Sequence, residues 1–257
     1  MNNLAVSGPI DTLIHSVMNP EFTFTFIFLT IVFVLILSYS MKLIFHGRTR
    51  YHRVDRQQGS ALLSKSLMEM FYWGLQPVGD FFIFLRISAH SISYLSLLLG
   101  VTAGVALAFG HFGEAGFYSA ISAMLDAVDG MVARKTGTAS DSGEILDASV
   151  DRYVEFFFLG GLILHYQQDK GMLILTLAAL IGSFMVSYSS AKAEALQVTP
   201  PRGAMRRPER ALYLTLGAIL APISNGQSMV FALALVGLFA NGSALKRLYV
   251  IAQTVKA

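Results

Sequence analysis

The sequence predicts an all-α, polytopic membrane helix bundle: one N-terminal span, six further spans beyond a basic linker, and an amphipathic helix lying in the membrane interface. Three observations predict it. The 257 residues are 54% hydrophobic and only 14% charged, where soluble domains carry about 25% charge. Uncharged apolar runs recur, beginning with residues 22–41, a length that crosses a bilayer. Basic residues collect beside the ends of these runs, on the side that the positive-inside rule assigns to the cytoplasm. The net charge of +3 is modest and Cys is absent, so disulfides and thiolate zinc sites are excluded. The first 20 residues lack the basic stretch of a cleavable signal peptide. No nucleic-acid-binding motif is present, and no nucleic-acid partner is expected.

Each element follows from local pattern. Residues 1–21 hold no Lys or Arg and are expected outside; Lys42, Arg48, Arg50, Arg53, Arg56 and Lys65 then mark the cytoplasmic side. Residues 1–57 read as the extra span with a basic linker, and residues 58–257 as the main domain. In 58–86, Leu63, Leu67, Met70, Phe71 and Gly74 recur at helical spacing, with Ser64, Lys65, Ser66 and Glu69 between them. That pattern predicts the interfacial helix, with Tyr72 and Trp73 at headgroup depth, ended by Pro77 and Gly79. Further spans are predicted at 91–110, 115–134, 144–166, 171–191, 210–223 and 227–245. A Thr-, Ser- and Gly-bearing turn covers 135–142, a basic loop 199–210, and a turn Asn225-Gly226. With the N-terminus outside, Lys170 alone faces outward, Arg152 lies within a span, and every other basic residue falls on the cytoplasmic side. The opposite orientation reverses this and is rejected.

Four carboxylates set the function. Asp126, Asp129, Asp147 and Asp151 fall within 26 residues, in spans where an acid costs about 2.5–3.5 kcal/mol at the helix centre. Asp126, Asp129, Gly130 and Ala133 stand at i, i+3, i+4 and i+7, one helical face with two small members. Gly143, Asp147 and Asp151 stand at i, i+4 and i+8, again one face. Two helices joined by a short turn bring the four acids to one point, and such hard oxygen donors suit Mg²⁺, Mn²⁺ or Ca²⁺. Two other readings exist. In a cation transporter, intramembrane acids mark an ion path; here they sit at one face, and no inverted repeat is visible. In a scaffold, the acids only pair with Arg134 and Arg152, which are too few to balance them.

The stretch D-x2-D-G-x2-A-R-x8-G-x3-D-x3-D, formed by Asp126, Asp129, Gly130, Ala133, Arg134, Gly143, Asp147 and Asp151, resembles the signature of the CDP-alcohol phosphotransferase family. The likeness is sharp over 126–151 and extends as organisation over 60–250, and it implies the family's usual six-span core, to which the span at 22–45 is extra. It implies transfer of a substituted phosphate from a CDP-linked lipid, CDP-diacylglycerol, to an alcohol with release of CMP, using one or two Mg²⁺ or Mn²⁺ ions held by the four Asp. It also implies that Asp151 is the base, that Gly130, Ala133, Arg134, Ser140 and Gly143 bind the donor, and that the protein is a homodimer. The place is the inner membrane of a bacterium, with the site facing the cytoplasm. One departure stands out: Ala89 and His90 occupy the places of the family's usual Pro-Asn step. His90 is read as a polar helix-start residue.

A phosphorylated acceptor needs cations. Lys192, the Arg206-Arg207 pair, Arg210 and, beside Asp151, Arg152 are the candidates. The segments SYSSAKAEA and RRPER and the Asp151-Arg152 pair resemble bacterial phosphatidylinositol phosphate synthases, a branch of the family. Inositol phosphate is therefore the leading acceptor, with glycerol 3-phosphate next and a neutral alcohol such as serine behind. Arg152 has a competing use, pairing with Glu155 or a nearby acid.

Overall fold

A computed structural model describes residues 20–47, 65–199 and 203–256. The readings made for residues 1–19 and for Arg48, Arg50, Arg53, Arg56, Leu63, Ser64 and Arg202 lie outside these. Among the described residues eight helices follow in order: α1 Pro20–His46, α2 Lys65–Phe84, α3 Ala89–Ala108, α4 Phe112–Lys135, α5 Asp141–His165, α6 Lys170–Ala195, α7 Arg207–Leu220 and α8 Gln227–Lys256. There is no strand among the described residues.

The helix starts are dictated locally. Ser88 Oγ accepts from Ser91 N at 3.2 Å to cap α3, and Ser140 Oγ accepts from Gly143 N at 3.2 Å to cap α5. Asp169 caps α6, accepting from Gly171 N and Met172 N at 3.0 and 3.1 Å. At α7 the Glu209 carboxylate accepts from Arg206 N at 3.1 Å, with Pro208 in the first turn. Asn225 and Gly226 both take positive φ, 50° and 80°, making the expected turn.

By length and composition α1, α3, α6 and α8 are apolar enough to cross a membrane. The acid-bearing α4 and α5, with 24 and 25 residues, are long enough to cross but less apolar than those four. The 14 residues of α7 rise only about 21 Å, less than a hydrocarbon core of about 30 Å; the turns of 221–226 follow it.

Packing is densest where α3 meets α4 and α5, and where α6 meets α8; α7 bridges α4 and α8. The main core joins Leu107, Phe158, Leu159 and Leu162 to Val186, Leu214, Leu233 and Val236. Between α3 and α5 the backbones touch. A Cβ on Gly161 would collide with the carbonyl of Gly104, and one on Gly104 with the carbonyl of Phe157. Only glycine permits this approach. A second cluster joins Ile92, Leu125, Val128 and Val132 to Leu75, Val78, Phe82 and Ile83 of α2.

That second cluster explains one correction. Pro77 and Gly79 do not end α2, which runs unbroken to Phe84. Proline removes one helical hydrogen bond, but the apolar face following it is anchored on α3 and α4. Gly79 lies against the Met131 sulfur, letting α2 approach α4 closely.

The extra helix α1 packs on the bundle. Glu21 accepts from Gly113 N at 2.8 Å and meets His111 Nδ1 at 3.0 Å. Thr25 Oγ1 donates to Ile219 O at 2.8 Å, and Phe24 packs against Phe117 with centroids 5.4 Å apart. Farther along, Leu35 fills the space over Gly74, and Tyr39 packs on Trp73 at 5.6 Å.

A carboxylate cluster as candidate active site

The C-terminal half of α4 and the N-terminal turns of α5 meet at one end of the bundle. Asp126, Asp129 and Asp147 each offer an oxygen within 4.8 Å of the others. The Asp126 carboxyl also faces that of Asp151, so the four acids converge as their spacing predicts.

Each is held by a specific partner or position. Asp129, nearly buried, accepts a hydrogen bond from Ser93 Oγ on α3 at 2.5 Å through Oδ2. Arg207, at the start of α7, donates from Nη1 and Nη2 to Asp126 Oδ2 and Oδ1 at 3.0 and 3.1 Å. The same guanidinium pairs with Asp151 Oδ1. Arg207 thus engages both Asp126 and Asp151, while Asp126 also belongs to the tight oxygen group with Asp129 and Asp147. A single guanidinium cannot balance four carboxylates, and the donors are all hard oxygens. The cluster therefore fits a divalent cation of the Mg²⁺ or Mn²⁺ kind.

The donor-binding candidates gather at the same end. Arg134 Nη1 lies 3.0 Å from where a Cβ on Gly130 would stand, so the guanidinium folds across the glycine. Ala133, half-buried, adjoins it. A Cβ on Gly143 would lie 3.3 Å from Ser140 Oγ and 3.7 Å from His90 Nε2. His90 is at the α3 start, as expected, but its ring also borders the floor beside Gly143. Ser140 serves as the α5 cap and is exposed.

The acceptor candidates separate. Lys192 is exposed near the end of α6. Arg207 lies on the acids. Arg152 Nη1 is 4.0 Å from Asp151 Oδ2, and Glu155 belongs to another partner. That partner is Arg210, which is fully buried. Its Nε and Nη2 donate to Glu155 at 2.7 and 2.8 Å, and Nη1 donates to Met205 O at 2.8 Å. Met205 holds a positive φ of 61° that turns its carbonyl inward.

Sequence reasoning missed three residues here. Ser93 offers only a small polar side chain among several serines. Tyr72 was read as a headgroup anchor, yet its hydroxyl accepts from Arg134 Nη2 at 3.3 Å. Arg247 was read as a topological mark after the last span. It is 5% exposed, donates to Ser190 Oγ at 2.9 Å, and has a buried Nε without a hydrogen-bond partner. Among the described residues no carboxylate pairs with it directly; Arg206 and Arg210 lie close enough to repel it, and Glu209 close enough to attract it.

Comparison with known proteins covers the same region. The family model for CDP-alcohol phosphatidyltransferase matches residues 86–240. The chain is 31% identical over 150 residues to the phosphatidylinositol phosphate synthase of Corynebacterium glutamicum, covering 56% of this chain and 68% of that one. It is 31% identical over 160 residues to the archaetidylinositol phosphate synthase of Pyrococcus horikoshii, covering 61% and 82%. The fold matches the crystal structure of Mycobacterium tuberculosis phosphatidylinositol phosphate synthase with CDP-DAG bound. There the TM-score is 0.63 at 22% identity, covering 69% of this chain and 92% of that one. The same enzyme in complex with manganese and citrate gives a TM-score of 0.64 at 22% identity, covering 69% and 88%. With the family model spanning more than half its length and the acid signature inside that span, the chain belongs to the CDP-alcohol phosphatidyltransferase family.

Proposed function

We propose that this membrane enzyme transfers the phosphatidyl group of CDP-diacylglycerol to inositol phosphate, releasing CMP. The observation that carries the transfer is the convergence of Asp126, Asp129, Asp147 and Asp151 beside Arg134. Asp126, Asp129 and Asp147, with Asp151 at the edge, would hold one or two Mg²⁺ or Mn²⁺ ions. Bound there, the ions supply charge neutralisation for the donor pyrophosphate and its leaving CMP.

The chain's own groups do the rest. Arg134 offers a fork of donors to phosphate oxygens, with Gly130, Ala133, Ser140 and Gly143 around the nucleotide. Asp151 takes the proton of the acceptor hydroxyl. The new bond runs from that oxygen to the lipid-bearing phosphorus, and the phosphorus–oxygen bond to CMP breaks. Arg207 covers Asp151; its turning to the acceptor's phosphate would free the carboxylate.

What supports a phosphorylated acceptor is the cationic group at the same end: Arg206, Arg207, Lys192 and, above all, the buried Arg247, which no carboxylate pairs directly. An anionic acceptor gains more than a neutral alcohol beside this buried arginine, which among the described residues only Glu209 attracts. The named relatives, phosphatidylinositol and archaetidylinositol phosphate synthases, point to the same acceptor. The reading places the N-terminus outside, the site at the cytoplasmic face of a bacterial inner membrane, and two copies in a homodimer.

The test is CMP release from CDP-diacylglycerol by purified protein with Mg²⁺ or Mn²⁺, offering inositol phosphate, glycerol 3-phosphate, serine and free inositol in turn. Release with inositol phosphate alone, abolished by EDTA, supports the proposal. Release with glycerol 3-phosphate or serine instead overturns the acceptor, and release with none overturns the transfer.

A further inference from the structure

Helix α2 lies outside the residues that the family model matches, yet it reaches the acid end of the bundle. Tyr72, Gln76 and Asp80 stand at i, i+4 and i+8, which is one face, and all three meet the last two residues of α4. Tyr72 Oη accepts from Arg134 Nη2 at 3.3 Å. Gln76 Oε1 and Asp80 Oδ1 both accept from Lys135 Nζ, each at 2.7 Å. Arg134 is exposed, and among the described residues it pairs with no carboxylate. A long, exposed side chain of this kind samples many rotamers unless a fixed group holds one end. Tyr72 is such a group, because its neighbour Trp73 packs on Tyr39 of α1 and Gly74 lies under Leu35.

We propose that Tyr72 is a positioning residue: its hydroxyl holds one arm of the Arg134 guanidinium and presents the other over Gly130, toward the donor phosphates. α1 and α2 thereby act on the transfer without touching substrate. The proposal rests on the reading of Arg134 as a donor-phosphate ligand, and the test separates the two.

The measurement is the Kd for CDP-diacylglycerol in detergent micelles with Mg²⁺, on full-length parent, Tyr72→Phe, Arg134→Ala and the double variant, with the thermal midpoint of each. Tyr72→Phe removes only the hydroxyl. It is expected to weaken binding about fivefold, the worth of one ordinary hydrogen bond, with an unchanged midpoint. Arg134→Ala is expected to weaken binding more, and adding Tyr72→Phe to it is expected to change nothing further. Parent-like binding by Tyr72→Phe beside a weakened Arg134→Ala overturns the positioning role and leaves the donor reading standing. Additive losses in the double variant also overturn it, since Tyr72 would then act elsewhere. Parent-like binding by Arg134→Ala overturns the donor reading, and the positioning role falls with it.

Discussion

Arg207 lays both terminal nitrogens of its guanidinium along the Asp126 carboxylate, at 3.0 and 3.1 Å, from 81 residues away in the chain. Without a metal, this arginine is the cluster's main counter-charge. Arg207→Gln is therefore expected to lower the unfolding free energy in EDTA by about 1.5–3 kcal/mol, the range for hydrogen bonds to charged groups. Added Mn²⁺ is expected to narrow the deficit, because the ion takes over the neutralisation. Thermal unfolding with and without Mn²⁺ reads both effects. An equal deficit in both conditions would remove Arg207 as a stand-in cation.

Asp151 is the member of the cluster nearest to two arginines, Arg207 and Arg152. Asp151→Asn keeps the shape and removes the proton acceptor. Turnover is expected to fall by at least about 10²-fold, the low end for a general base. CDP-diacylglycerol binding is expected to stay near the parent's. CMP release and donor binding, measured on the same preparation, decide it; substantial turnover in the Asn variant counts against the role.

Ser93 fixes one oxygen of Asp129 by a 2.5 Å hydrogen bond and so decides which oxygen faces the cluster. Groups behind a metal ligand typically change metal affinity 10–100-fold when lost. Ser93→Ala is expected to weaken Mn²⁺ binding by roughly tenfold, and Ser93→Thr to restore it. Calorimetric titration with Mn²⁺ is the check. Equal affinity for Ser and Ala would show that Asp129 needs no such support.

Arg210 and Arg247 should fail in opposite ways. Arg210 sits in a buried two-pronged pair with Glu155, and breaking such a pair costs about 3–5 kcal/mol. Arg210→Gln is expected to show this in unfolding, and Glu155→Gln in the same chain to recover part of it. Arg247→Gln relieves repulsion from Arg206 and Arg210 and should leave stability near the parent's. Its effect is expected on the acceptor KM, roughly tenfold upward for one charge-assisted hydrogen bond, with donor affinity unchanged. Steady-state kinetics on Arg247→Gln and unfolding curves for both variants distinguish them.

The acid face was legible because a helix fixes which residues share a side. Asp126, Asp129, Gly130 and Ala133 could stand together in no other way, and only the relative position of α4 and α5 had to be supplied by the fold. The turn at Asn225-Gly226 was legible in the same local sense. Pairings across the bundle were not. Nothing in the chain's order says that Glu155 belongs to Arg210 and not to the nearer Arg152, since packing of α7 decides it. Arg247 follows a span as a cytoplasmic arginine should, and only burial separates it from an ordinary flanking charge. Pro77 misled for a related reason: its local penalty is small beside the apolar face that Val78, Phe82 and Ile83 lay on the second core.

The glycine contact between α3 and α5 carries a lesson about leverage. Gly161 lies ten residues beyond Asp151, about 15 Å along the axis, and touches Gly104 backbone to backbone. Since α3 also lies against α4, that contact is the fulcrum on which one pair of acids is aimed at the other. A single methyl wedged there would tilt α5 and spread the oxygens apart at its far end. The enzyme's grip on its cations is thus set in part by two residues that never come near them.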